Sequence, residues 1–216
     1  MKRSKEERMK RPSPLLCLFV LLAGVCLTAC GSGGGNVPPG MMGGAITATF
    51  TPDNLTPGAN SISMQAGTAT GDTFQVIVRV TDIVDFFGAA FRITFDSASA
   101  EFLSFDDSTS FLNGSTAVVD VRATVDPTDA GTVLVVATLQ NTFSYVQGIT
   151  PAAMDDTLLI LSFRATNPSG GNAFTFDTMM SREVTTCPPW NMMGQQPACP
   201  EISATVTWDE GTMTAN

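Results

Sequence analysis

Histidine is absent from this chain of 216 residues, and lysine is confined to its first ten positions. After residue 29 the sequence holds five arginines and eighteen acidic side chains, which is a formal balance of −13. The lack of histidine and lysine over that length excludes mechanisms that need a histidine base or a lysine nucleophile. An acidic surface repels phosphate backbones, so we expect no nucleic-acid partner.

Apolar runs are too short to cross a bilayer, which needs about 20 residues. The run at 15–27 follows a segment with six basic and two acidic side chains, a pattern typical of an export signal. Its end, Leu27-Thr28-Ala29-Cys30-Gly31, resembles the lipobox of bacterial lipoproteins. That resemblance implies cleavage before Cys30 and acylation of its thiol, which would anchor the exported protein to the cell envelope. By the same resemblance, Ser32 favours the outer membrane if the cell is Gram-negative. The alternative to a lipobox is an ordinary signal peptide in which Cys30 carries no lipid.

Seven glycines and two prolines within residues 31–44 predict a flexible tether. We therefore divide the chain into a signal peptide (1–29), the lipidated cysteine with its tether (30–44), an extra N-terminal segment (45–60) and a sandwich domain (61–216). The lipid on residue 30 is the only membrane contact that we expect.

Cysteine is scarce after residue 30, where only Cys187 and Cys199 remain. An even pair in an exported chain predicts a disulfide, here closing the loop 187–199. A zinc site is the alternative, but two thiols without a histidine offer too few ligands. Asp126 and Asp129 lack the spacing of a calcium loop. We expect no metal and no cofactor.

Apolar side chains recur with a period of two in most of the remaining sequence, and turn-forming residues separate the alternating segments. This pattern predicts strands that each bury one face. No segment predicts a helix, so the fold class is all-β, a jelly-roll β-sandwich of two sheets and about nine strands. The candidate strands are 45–51, 61–64, 73–80, 88–95, 101–105, 116–124, 132–140, 157–165, 173–176, 202–208 and 212–214.

Residues 71–105 contain an ordered set of features. Gly71-Asp72 precedes a long strand, Asp96 ends the next strand, and Glu101-Phe102-Leu103 follows the corner. We expect the carboxylate of Asp96 to accept hydrogen bonds from the following turn. The set resembles the cohesin family, the β-sandwich modules that bind dockerins and share their topology with carbohydrate-binding modules. Residues 157–165 and 209–216 are similar to late strands of that family, so the resemblance spans 61–216. Phe95 and Ser97 depart from its usual Tyr and Pro.

The resemblance implies that strands 88–95, 116–124 and 132–140 belong to the sheet that meets the partner. Leu134 and Val136 would form an apolar centre on its outer face, because their strand is apolar on both sides. Outward polar residues would surround them: Arg92, Thr94, Asp120 and Arg122. The alternative is that the protein's own loops or residues 45–60 cover this centre.

Candidate catalytic groups are confined to adjacent acids at 106–107, 155–156 and 209–210, whereas glycoside hydrolysis needs two carboxylates that converge across a cleft. We therefore expect a non-enzymatic cell-surface protein that binds a dockerin-like module. The alternative is a carbohydrate-binding module that recognises polysaccharide. Trp190 would then be a ligand contact, whereas we expect Trp208 in the core.

Overall fold

The computed structural model describes residues 45–140, 145–151, 156–168, 170–179, 182–195 and 197–216. The predicted signal peptide, lipidated Cys30 and tether lie outside these residues. Twelve strands and two short 3₁₀ turns, Phe111–Gly114 and Ser203–Thr205, make up the described fold. The strands are β1 Ala48–Pro52, β2 Ser61–Thr70, β3 Thr73–Thr81, β4 Phe86–Thr94, β5 Ala100–Asp106, β6 Val118–Asp126, β7 Asp129–Gln140, β8 Asp156–Ala165, β9 Gly170–Phe176, β10 Glu183–Thr186, β11 Thr207–Asp209 and β12 Gly211–Ala215.

The strands form two sheets, which confirms the predicted β-sandwich with twelve strands in place of about nine. The seven-stranded sheet has the order β1-β12-β9-β4-β7-β6, and β10 also pairs with β4. The five-stranded sheet has the order β11-β2-β3-β8-β5. Among the strand pairs that the structure describes, only β11–β2 is parallel. In the described part of the chain, no helix has the length and apolar character needed to span a bilayer.

Alternating strands place one row of side chains in the core between the sheets. In β3, Phe74, Val76, Val78 and Val80 are at most 1% exposed, while the residues between them are half-buried. Phe163 of the five-stranded sheet lies at the centre of a ring cluster. Its ring centroid is 4.9 to 5.6 Å from those of Phe74, Phe95, Phe102 and Phe174.

The corner after β4 has the hydrogen bonds expected from the sequence. Asp96 Oδ1 accepts from the backbone N–H of Ala98 at 2.9 Å, and Oδ2 accepts from the Ser99 hydroxyl at 2.7 Å. These bonds lower the pKa of the Asp96 carboxyl, with the Ser99 bond contributing most. The chain then enters β5 in the other sheet, where Phe102 packs against the core and Leu103 is 42% exposed.

Residues 45–60 extend the sandwich. β1 pairs antiparallel with β12 and forms one edge of the seven-stranded sheet. The segment that follows is held against β2, because Gln65 Nε2 donates to the carbonyl of Asn54 at 2.9 Å. The family pattern did not explain this segment, and its structural role is that of an edge strand.

The expected strand over residues 202–208 is wrong in its first part. Residues Ser203–Thr205 form a 3₁₀ turn, and only Thr207–Asp209 form a strand, β11. The Ser203 hydroxyl accepts a hydrogen bond from the backbone N–H of Val184 in β10 at 2.7 Å, so the turn is tied to β10 and does not continue the strand. Trp208 nevertheless packs against the core, with its ring 4.9 Å from Phe176.

Candidate functional site

The candidate site is the outer face of the seven-stranded sheet, where β6, β7 and β4 lie side by side. The register places outward residues in rows across these strands. One row is Arg122, Val136 and Ala90, and the next is Thr124, Leu134 and Arg92. The predicted residues Arg92, Arg122, Leu134 and Val136 therefore lie next to one another.

Apolar side chains occupy the middle of this face. Val136 is 41% exposed and Leu134 is half-buried. β1 lies at the opposite edge of the sheet, separated from β7 by three strands, so the N-terminal segment does not cover them. Val136 is exposed to solvent in the described fold, which argues against the alternative that the protein's own segments bury this centre. Leu134 and Val136 thus form an apolar centre with polar groups around it, which is the arrangement found in protein interfaces.

Charged groups border the apolar middle on the β6 side. Arg122 Nε donates to Asp120 Oδ1 at 2.8 Å, and Gln140 Nε2 donates to Asp120 Oδ2 at 2.8 Å. The hydrogen bond and the charge of Asp120 raise the pKa of the Arg122 guanidinium. Because Arg122 remains largely exposed, with 76% of its side chain accessible, the pair is available to a partner.

Arg92 borders the middle on the other side. Its Nη1 is 3.5 Å from Oδ2 of Asp126, whose side chain is only 10% exposed. Hydrogen bonds from the hydroxyl and backbone N–H of Thr128 lower the pKa of Asp126, and the charge of Arg92 adds to this effect. The ionised carboxylate therefore attracts the guanidinium group of Arg92, whose residue lies opposite Leu134 in the sheet.

Thr94 lies further along β4 and is less available than the other predicted residues. Its hydroxyl is 2.7 Å from that of Thr175 on β9, and the side chain is half-buried. Arg92, Arg122, Leu134 and Val136 lie together, and Asp120 joins them through its pair with Arg122. The structure thus brings five of the six predicted partner residues to one region and places Thr94 at its margin.

Strand β10 adds residues that the sequence analysis missed. Glu183 pairs with Ala90, and Thr185 pairs with Gly88, so both border the outer face. With Val136 and Thr138 they surround an open depression of about 230 Å³. Gly88 and Ala90 also line it, and their small size explains why the surface is recessed there. Ligand pockets usually measure about 300 to 1,000 Å³, so this recess suits a protruding side chain better than a whole small molecule.

The predicted disulfide between Cys187 and Cys199 is confirmed. Trp190 in its loop is 55% exposed, with its ring 6.1 Å from that of Tyr145. Trp190 is the only exposed aromatic side chain among the residues that the structure describes. Trp208 is unavailable to a sugar, because it packs against Phe91 and Phe176 and carries Arg182 over its face.

Several acidic side chains of the described residues are used in turns. Asp96, Asp106 and Asp126 all have pKa values lowered by hydrogen bonds within their own turns, so their carboxylates hold turns together. Asp129 does the same, accepting from Gly131 N–H and the Thr132 hydroxyl. No cluster of three or more potential metal ligands occurs in the described ranges.

Comparison with known proteins identifies relatives of this fold. The family model described as cohesin domain matches residues 59–184. A type I cohesin from Pseudobacteroides cellulosolvens is 9% identical, with a TM-score of 0.50 over 70% of this chain and 90% of that chain. A type II cohesin domain from the cellulosome of Acetivibrio cellulolyticus is 11% identical, with a TM-score of 0.50 over 73% of this chain and 95% of that chain. No curated protein matches the sequence.

Proposed function

The chain belongs to the cohesin family, and from that premise we propose that it is a non-catalytic receptor that binds a dockerin-type protein module through the outer face of β4, β6 and β7. One observation carries the proposal. Val136 is 41% exposed at the middle of this face, directly between Arg122 on β6 and Ala90 on β4. Strong interfaces bury an apolar centre and surround it with polar groups that exclude water.

The charged border would give the interaction its orientation. Arg122 is paired with Asp120 but exposed, and Arg92 lies 3.5 Å from Asp126, so a partner would meet one guanidinium group on each side of the apolar middle. Planar guanidinium groups form bidentate hydrogen bonds with carboxylates. A dockerin-type module with apolar residues for the centre and carboxylates at its margins would therefore complement this face. An apolar side chain of that module would enter the depression beside Gly88.

Polysaccharide binding is the competing function, and Trp190 is the observation that favours it. Sugar recognition by stacking uses the flat face of an aromatic ring, and Trp190 is 55% exposed. Its neighbour Tyr145 stands nearly perpendicular, at 76°, so the two rings do not form a continuous flat surface. Retention on insoluble cellulose that is lost in Trp190→Ala would favour this function over the protein-binding one.

We also propose that the module is displayed on the cell envelope by a lipid on Cys30, after removal of residues 1–29. The supporting features are the apolar run, the small residues before Cys30 and the glycine-rich segment after it. Metabolic labelling with a fatty acid tests the proposal: the wild type should incorporate the label and Cys30→Ser should not. Equal labelling of both, or a mature N-terminus at another residue, would refute it.

Binding to purified dockerin modules encoded in the same genome tests the main proposal. We expect Val136→Asp and Leu134→Asp to weaken binding by about 30-fold or more, because a charge at the centre of an interface must be desolvated without a partner. Leu103→Asp is a matched control, since Leu103 is 42% exposed on the five-stranded sheet. Binding that survives both substitutions on β7 would count against the proposal, as would failure of every dockerin to bind the wild type.

A further inference from the structure

The loop closed by Cys187 and Cys199 begins where the proposed binding face ends. Thr185 pairs with Gly88 beside the depression, Thr186 pairs with Phe86, and Cys187 follows immediately. The family model matches residues 59–184, so the loop lies outside the matched residues. Its position at the border of the face makes it a candidate for a further contact.

The base of the loop is fixed to the sandwich. Cys187 N–H donates to the carbonyl of Asp85 at 2.8 Å, and Gly148 N–H donates to the carbonyl of Cys187 at 2.8 Å. The hydroxyl of Tyr145 donates to the carbonyl of Pro188. Together with the disulfide, these bonds restrain the base of the loop, and restraint of this kind lowers the entropy that is lost when a partner binds.

The end of the loop is a tight turn around Asn191. Asn191 Oδ1 accepts from the backbone N–H groups of Met193, at 3.0 Å, and Gln195, at 2.8 Å. Gly194 takes a positive φ of 68°, a conformation that glycine adopts without strain. This turn keeps the neighbouring apolar side chains outside: Met192 is 108% exposed, Met193 80% and Trp190 55%. We call these three residues the loop tip.

The composition of the loop indicates what kind of surface it suits. Residues 187–199 contain no charged side chain, although the chain as a whole is acidic. Tryptophan is prominent among the residues that dominate interface energies, and methionine adapts its shape to a partner. Lipid is a poorer match, because the −13 balance after residue 29 would repel anionic membrane surfaces. An uncharged apolar strip on a protein partner is the surface that fits.

We propose that the loop tip is a second contact for the partner module bound on the outer face, and that it sets which modules this chain accepts. The proposal rests on the proposed function. The occupant is one protein module. Its apolar side chains would fill the depression beside Gly88, and an uncharged apolar strip on the same module would extend past β10 and contact the loop tip. The face would provide the attachment common to the family, and the tip would provide the selectivity of this chain.

Affinity measurements with a dockerin module that binds the wild type test the proposal. We expect Met192→Ser/Met193→Ser and Trp190→Ala each to weaken binding about tenfold or more, mainly through faster dissociation. Leu55→Ser is the control, because Leu55 is 78% exposed between β1 and β2 and should leave the affinity unchanged. Thermal unfolding of each variant checks that these exposed substitutions leave the fold intact. Binding should also protect Trp190 from acrylamide quenching.

The outcomes separate this proposal from the one on which it depends. If Val136→Asp weakens binding while both tip variants stay within twofold of the wild type, the tip is not a contact and the proposed function stands. If Val136→Asp has no effect either, both proposals fail. Three results would overturn the inference, provided that the tip variants leave module affinity unchanged. They are loss, in the tip variants, of dimerisation of the chain alone, of binding to phosphatidylcholine vesicles, or of retention on cellulose. Each would identify a second copy, a lipid surface or a polysaccharide, respectively, as the occupant of the tip.

Discussion

Asn172 and Asp96 are joined by two reciprocal hydrogen bonds across the seven-stranded sheet. The backbone N–H of Asp96 donates to Asn172 Oδ1 at 2.9 Å, and Asn172 Nδ2 donates to the carbonyl of Asp96 at 3.1 Å. Asn172 is only 4% exposed, so water cannot readily replace either bond. The side chain of one strand thereby completes the backbone bonding at the corner where the chain leaves β4.

Replacement of Asn172 by Ala should therefore destabilise the domain by about 1 to 3 kcal/mol, the usual cost of a buried polar group left without a partner. Urea denaturation would measure the change. Asn113→Ala is the control, because Asn113 also donates to a backbone carbonyl, that of Asp107, but is exposed to water. Equal stability losses in the two variants would show that burial of the Asn172 pair has no special weight.

Acid should destabilise the domain through the carboxylates that hold its turns. The pKa values of Asp96 and Asp126 are lowered from 3.8, first by hydrogen bonds from the Ser99 and Thr128 hydroxyls. A lowered pKa means that the unfolded chain binds protons more readily than the folded chain. The stabilisation is therefore fully present above about pH 4 and is lost as pH falls through the folded values.

The double variant Asp96→Asn/Asp126→Asn tests this pH dependence. Its urea midpoint should change less between about pH 5 and pH 3 than that of the wild type, because two of the responsible protonation steps are removed. Parallel pH profiles for the two proteins would contradict the assignment. The two single variants, Asp96→Asn and Asp126→Asn, show which turn contributes more: the variant whose urea midpoint falls less with acid carries the substitution in that turn.

Long alternating strands could be predicted from the sequence because their pattern is local. Phe91 and Ile93 in β4 are buried, and Arg92 between them points to the outer face. Successive side chains of a strand point to opposite faces of the sheet, so once one residue is assigned to the core the side of every other residue in the strand follows. For this reason the outer-face residues on β4, β6 and β7 could also be predicted, including the apolar Leu134 and Val136.

β10 and the true extent of β11 could not be predicted, because both depend on distant partners. β10 has only one buried aliphatic residue, Val184, and is held by pairing with β4. β11 lies at the end of the candidate strand 202–208, but it is only three residues long and pairs in parallel with β2, at a separation of 146 residues between Thr207 and Ser61. β10 has no periodic pattern of sufficient length, and the alternation at 202–208 does not show where β11 begins. The depression on the outer face was missed for the same reason, since β10 supplies one of its walls.

The disulfide should contribute about 3 kcal/mol to stability, because it reduces the number of conformations open to the unfolded chain. It joins residues separated by 12 positions in sequence. Urea denaturation with and without a reductant measures this contribution. The variant Cys187→Ser/Cys199→Ser should have the same unfolding midpoint as the reduced wild type, and the reductant should not change that midpoint. A wild-type midpoint that does not respond to complete reduction would contradict the prediction.

Gly88 should be sensitive to the smallest enlargement, because a Cβ at this position would lie 2.7 Å from the Thr138 Oγ1 and 2.9 Å from the carbonyl oxygen of Ala137. The Ala137 contact is with backbone and cannot rotate away. We expect Gly88→Ala to cost about 1 to 3 kcal/mol, as overpacking usually does. Gly114→Ala is the control, since a Cβ there would meet nothing within 4 Å.

The same substitution reports on the depression, because Gly88 lines it between Thr138 and Thr185. If a partner side chain enters this recess, a methyl group at position 88 should weaken dockerin binding as well as stability. Urea denaturation and calorimetric titration of one protein preparation measure the two effects separately. A stability loss with unchanged affinity would mean that no side chain of the partner enters the depression.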